Sequence, residues 1–84
     1  MQDIHDFDER CEAKWLEGRA ERGLSPEAPF QGDPVYEAMR ETPDLANYVR
    51  QAIRSGRVPE QVGEEIIRQV YGIDMILGVY ASGR

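Results

Sequence analysis

One cysteine, one histidine and one tryptophan stand among 84 residues, and these scarcities exclude several kinds of chemistry. With Cys11 alone no internal disulfide can form, so an oxidising compartment gains no support. The chain has no zinc-ligand spacing, no Ser-His-Asp set and no Gly-rich phosphate loop. Its longest apolar run, Met75 to Ala81, is far below the roughly 20 residues that span a bilayer, so no membrane segment is expected. The start of the chain is acidic with no apolar stretch behind it, which leads to the expectation of no secretory signal and a cytoplasmic location.

Basic residues are also scarce: 10 Lys and Arg face 16 Asp and Glu, for a net charge of -6. Residues 1–33 carry nine acids against four bases, and residues 34–84 carry seven against six. Gripping a nucleic-acid backbone depends on cations that displace counterions from phosphates, so direct nucleic-acid binding is not expected. An acidic surface suits a basic protein partner, or serves solubility alone.

The composition is 40% hydrophobic and 31% charged, which fits a folded soluble domain. At this length the whole chain, 1–84, reads as one small domain with marginal core volume, a size that often completes its core with a second copy. A homo-oligomer is therefore expected.

Ile4, Phe7, Cys11 and Trp15 recur at three- and four-residue intervals, which predicts a first helix from about Asp3 to Arg22 closed by Gly23. Leu24 to Pro34 holds three prolines and a glycine and reads as an ordered loop. Asp33-Pro34 has the form of an N-cap followed by proline at the first helical position. Thr42-Pro43 repeats that form and predicts a second start, with a helix to about Ser55 that turns Leu45, Tyr48, Val49, Ala52 and Ile53 inward. One helix kinked at Pro43 is the alternative. Ser55-Gly56-Arg57 reads as a tight turn. Pro59-Glu60 opens a helix with Val62, Ile66, Ile67, Val70 and Tyr71, closed at Gly72. The apolar tail beyond fits a buried strand, a further helical turn or a segment covered by another chain. The expected fold is all-α, four helices with a short apolar C-terminal tail, in an oligomer.

The chemistry-bearing pattern is carboxylate spacing. Glu37, Glu41 and Asp44 stand at offsets of four and seven, one face of a helix. Glu9 with Glu12 and Glu41 with Asp44 form E-x-x-E and E-x-x-D pairs. Antiparallel packing of two such helices could gather hard oxygen ligands of the kind that hold magnesium at a phosphate. A solvated charged face has the same spacing.

The run W-L-E-G-R-A-E-R-G-L, Trp15 to Leu24, followed by F-Q-G-D-P-V-Y-E-A-M-R-E-T-P-D-L-A-N-Y, Phe30 to Tyr48, resembles short MazG-like proteins of phages and mobile elements. The likeness covers about residues 9–53. It implies an all-α, oligomeric, magnesium-dependent protein that handles nucleotides, in the enzymatic case hydrolysing nucleoside triphosphates to monophosphate and pyrophosphate. It further implies metal ligation by Glu9, Glu12, Glu41 and Asp44 with Glu37 beside them, and phosphate contacts from Lys14, Arg19 or Arg40. Pro43 falls inside the second pair, and 28 residues with three prolines separate the two pairs; both depart from the family pattern.

Leu45 to Val70 is similar to the two helices of ribbon–helix–helix antitoxins, with S-G-R at the turn. The preceding residues carry two glutamates where those proteins have a DNA-reading strand, so only a toxin-binding or dimerisation role carries over. The alternative to the nucleotide reading is a non-catalytic acidic interaction protein, such as a phage-encoded inhibitor of a host defence complex or an antitoxin-like partner. His5 beside its acidic neighbours reads as solvated. Asp6-Phe-Asp8 lacks the rest of a calcium loop. Cys11 reads as core, and Trp15, Tyr36, Tyr48 and Tyr80 read as packing residues or interface anchors.

Overall fold

A computed structural model describes residues 3–82, in which three α-helices and no strand are found. The chain falls into two compact units, Met1–Gln31 and Gly32–Arg84.

The first unit is one helix and a loop that returns over its end. Helix α1, Ile4–Glu21, is capped by Asp3, whose Oδ1 accepts from the Asp6 amide at 3.0 Å. It stops in a paired-bond cap: the Gly23 amide donates to the Ala20 carbonyl at 3.0 Å, and the Leu24 amide to the Arg19 carbonyl at 2.9 Å. Gly23 takes φ +72°, where a Cβ would be strained. The stripe of Ile4, Phe7, Cys11 and Trp15 is present on α1 but exposed. Cys11 is therefore no core residue, because its unit supplies no facing element to cover it.

The second unit is a helical hairpin. Helix α2, Pro34–Arg54, starts as expected: Asp33 Oδ1 accepts from the amides of Val35 at 3.0 Å and Tyr36 at 3.4 Å. It then passes through Pro43 without ending. The two expected helices are thus one element, and the count is three, not four. Helix α3, Glu60–Ser82, likewise runs through Gly72 and takes up the apolar tail. Gly72 does not close it, since an apolar segment with no turn residues after it gains more by continuing the helix. The last two residues of that tail lie outside the described residues.

The link between α2 and α3 repeats the paired-bond cap. The Gly56 amide donates to the Ile53 carbonyl at 3.0 Å and the Arg57 amide to the Ala52 carbonyl at 2.9 Å, with Gly56 at φ +77°. Val35, Ala38, Met39, Thr42, Ala46, Val49 and Ile53 are half-buried on α2. The facing positions on α3 are Gly63, Ile67, Val70, Asp74, Leu77, Gly78 and Ala81, at three- and four-residue steps. The closest approach is at Gly63, where a Cβ would fall inside van der Waals contact of Ile53 Cδ1 and Cγ1. Farther along, the site for a Cβ on Gly78 lies 3.8 Å from Met39 Cε.

The described burial is small. Val70, 5% exposed, is the buried hydrophobic side chain; Leu45 and Tyr48, expected inward, are exposed, as are Val62 and Tyr71 on α3. Two helices have only one mutual seam, so side chains one step round either helix have nothing to pack on. From Val70 to Ala81, α3 is apolar on every side except at Asp74, the pattern of a helix that is enclosed all round.

Candidate functional site

In the first unit the structured chemistry centres on Arg19. Its side chain is 2% exposed, its Nη2 donates to the Ala28 carbonyl, and its guanidinium carbon sits 4.8 Å from the centroid of the Trp15 ring. Phe30 stacks on the other part of this cluster, its ring centroid 6.2 Å from that of Trp15 with an interplanar angle of 23°. A cation over an indole face is attracted to the ring by about 0.5–2 kcal/mol, more as water is excluded. Arg19 Nε has no hydrogen-bond partner, a desolvation cost that the ring and the Ala28 carbonyl offset. The arginine expected at a phosphate thus fastens residues 24–30 onto the end of α1.

The other expected residues of this unit lie on the open side of α1. Glu9 is 3.4 Å from His5 Nε2, an ion pair when the imidazole is protonated. Lys14 is 3.8 Å from Glu17, and Glu12 is exposed. Phe7, Arg10, Cys11, Lys14 and Trp15 line a shallow groove of about 480 Å³. Arg10 lies 5.4 Å from the Phe7 ring centroid, so the groove mixes aromatic and cationic surface.

In the second unit the continuity of α2 decides the placement of the acids. Because the helix does not break at Pro43, Glu37, Glu41 and Asp44 keep one face. Arg40 is 3.3 Å from Glu37, one turn away. Glu41 and Asp44 make no ion pair among the described residues. They rim an open groove of about 360 Å³ whose walls are Thr42, Leu45, Tyr48, Val70 and Ile73. Two carboxylates beside an apolar floor recognise a cationic group carried on an apolar segment, or a metal that takes further ligands from its own substrate.

Proline lacks the amide that would bond the carbonyl four residues back. At Pro43 that carbonyl belongs to Met39, and the Thr42 hydroxyl lies 3.2 Å from it. The same hydroxyl is 2.6 Å from Asp74 Oδ1 on α3. This pair was not anticipated from the sequence, although a threonine directly before an intrahelical proline is a signal for such a bond.

Glu9 and Glu12 belong to the first unit and Glu41 and Asp44 to the second. Among the described residues no group of three or more His, Cys, Asp and Glu side chains is close enough to hold a metal ion. No helix among them is long and apolar enough to cross a membrane. No family model, curated protein or solved structure matches the chain.

Proposed function

We propose that the chain is a non-catalytic acidic interaction protein whose helices complete their packing on other polypeptides. One observation carries this reading: both units expose large apolar side chains along helix faces, with Phe7 and Trp15 in the first and Tyr48, Ile73, Ile76 and Tyr80 in the second. Contiguous apolar surface rimmed by charge is the usual mark of a protein-binding face. Tyr and Trp are the side chains that most often anchor one. The net charge of -6 favours a partner with a basic rim, including a protein that itself binds nucleic acid, or a toxin. Homo-oligomerisation belongs to the same reading.

The test uses Cys11 as a handle. A maleimide photo-crosslinker at Cys11 would capture neighbours in host extract, and each captured protein would then be titrated as a purified pair. Glu37→Gln, Glu41→Gln and Asp44→Asn together should weaken a genuine pair, and rising salt should weaken the wild-type pair in step. A chain that captures nothing, or pairs indifferent to both changes, would remove the reading.

A second reading is favoured by the continuity of α2 through Pro43. On an unbroken helix Glu41 and Asp44 stay one turn apart with Glu37 beside them, the arrangement that the MazG-like resemblance requires; that resemblance also implies Glu9 and Glu12 as the other pair and Lys14 or Arg40 toward phosphate, whereas Arg19 is taken up by Trp15 and the Ala28 carbonyl. Magnesium is held by one or two carboxylates together with waters and substrate phosphates, so the donor type fits. Bound there it would neutralise phosphate charge and lower the pKa of a water. Pyrophosphate release from nucleoside triphosphates with magnesium, and a magnesium-dependent thermal shift lost in Glu41→Gln/Asp44→Asn, are the expected results; absence of both ends this reading.

A further inference from the structure

We propose that the groove between α2 and α3 takes a single amphipathic helix of another protein, apolar along its inner side and basic along the edge that lies over α2. The inference rests on reading the chain as an interaction protein and gives one of its surfaces a partner of stated chemistry. Two rows of residues at three- and four-residue steps carry it.

On α3 the row is Val62, Ile66, Gln69, Ile73, Ile76 and Tyr80, each one position before a residue that faces α2. It holds no charged residue, and Val62, Ile73, Ile76 and Tyr80 are each more than half exposed. On α2 the row is Glu37, Glu41, Asp44, Tyr48 and Gln51. Ile73 meets Glu41, Asp44, Leu45 and Tyr48 around the groove, with Val70 in its floor, so the two rows form its opposite sides. One side is apolar throughout its charge-free length; the other is acidic over its first half and aromatic at Tyr48.

The walls decide the form of the occupant. Both are helices, whose backbone N–H and C=O groups are already bonded along their own axes. An extended segment laid between them would bury backbone groups without partners, whereas a helix brings its own already satisfied. From Val62 to Tyr80 the row is about 27 Å long at the helical rise, room for about five turns of a third helix.

Charge decides the occupant's chemistry. The two rows carry three carboxylates and no Lys or Arg. Arg40 lies outside them and holds Glu37 at 3.3 Å, while Glu41 and Asp44 make no ion pair among the described residues. The same face of a second copy would bring acids and no base, which selects against it. A partner helix with Lys or Arg one turn apart along one edge matches the spacing of Glu41 and Asp44. Its apolar side then rests on Leu45, Tyr48 and Ile73. The ion pairs fall at the rim, where they choose the partner, and the apolar contacts at the centre.

Fluorescence anisotropy of the full-length chain with two labelled synthetic helices of about 18 residues tests this. Both peptides have leucine along one face; one has lysine and the other glutamate along the adjoining edge. The lysine peptide should bind at least roughly tenfold more tightly than the glutamate peptide. Glu41→Lys/Asp44→Lys should reverse that order. Ile73→Glu, and Leu45→Glu on the other helix, should each abolish binding of the lysine peptide, although the added charge attracts it. These side chains are exposed, and helicity by circular dichroism checks that each variant is folded. A chain that binds neither peptide overturns the proposal, as does an order that the charge exchange leaves unchanged. Lysine-peptide binding that survives both glutamate substitutions also overturns it, since that is charge attraction without a groove. A wild-type dimer in sedimentation that Ile73→Glu turns into monomer would overturn it by giving the groove to a second copy. A captured partner weakened by the amide substitutions of Glu37, Glu41 and Asp44 but not by Ile73→Glu would sink this inference and leave the broader reading standing.

Discussion

The Thr42 hydroxyl lies 2.6 Å from Asp74 Oδ1 and joins α2 to α3 at the residue before Pro43. Proline takes one backbone bond from α2, and the hydroxyl of the threonine beside it, 3.2 Å from the orphaned Met39 carbonyl, donates to the one charged group in the apolar half of α3. The hydroxyl carries one proton, which the shorter contact gives to Asp74, so this side chain makes the burial of Asp74 tolerable while α2 runs on past Pro43. Continuity in turn holds Glu41 and Asp44 on one side of the groove.

Thr42→Val should remove that bond while keeping the side chain's shape. Asp74 would stay half-buried without its donor, so the loss should be about 1.5–3 kcal/mol, the range for a hydrogen bond to a charged group. Asp74→Asn, which can still accept, should lose less. Denaturant unfolding of both variants and of their double gives the coupling energy; additive losses would mean the contact contributes nothing.

Much of this architecture is legible in the residues, and what is not has a physical cause. Asp33-Pro34, Gly23 and Gly56 act through local backbone chemistry, so the starts and stops of α1 and α2 can be read directly. Thr42-Pro43 carries the same local grammar as Asp33-Pro34, yet its outcome is decided by Asp74, 32 residues away. The tail after Gly72 is similar: periodicity is blurred there because the helix is apolar all round. Arg19 is the clearest case in the candidate site. The family resemblance implies a phosphate contact for it, and only the return of residues 24–30 over Trp15 turns it into a fastening for the loop.

Pro43→Ala should raise stability. It restores the amide to Met39 and removes the ring from the helix interior, where proline costs about 3 kcal/mol relative to alanine. The Thr42 hydroxyl gives its proton to Asp74 and leaves the Met39 carbonyl to gain from the restored amide, so an increase of about 1–3 kcal/mol is expected. Thermal unfolding by circular dichroism reads it, and a loss of stability would show that the proline shapes α2 to fit α3.

Arg19→Ala should free residues 24–30 without unfolding α1. The cation over Trp15 and the bond to Ala28 would both go, and Trp15 would lose a packed neighbour. Faster hydrogen exchange at the Leu24 and Ala28 amides, together with a shift in Trp15 emission, is expected. Arg19→Lys should behave much like alanine, since an ammonium cannot stack on indole and reach the carbonyl with the same planar group. Unchanged exchange in both variants would mean that Phe30 stacking alone holds the loop.

Two glycines of α3 should respond in opposite directions to the same substitution. At Gly72 nothing lies within 4 Å of an added Cβ, so Gly72→Ala should stabilise by about 0.5–1 kcal/mol through helix propensity alone. At Gly63 the methyl would collide with Ile53 at Cγ1 as well as at the movable Cδ1, so rotation of the terminal methyl cannot relieve it. The helices must separate there or Ile53 must leave its position, a cost of about 1–3 kcal/mol that exceeds the propensity gain. Gly63→Ala should therefore destabilise, and Gly63→Ala combined with Ile53→Val should recover only part of the loss, because valine keeps both γ-carbons. Gly63→Ala combined with Ile53→Ala removes the collision outright and exchanges it for a cavity. Equal melting temperatures for Gly63→Ala and Gly72→Ala would mean that α2 and α3 are not in contact at Gly63.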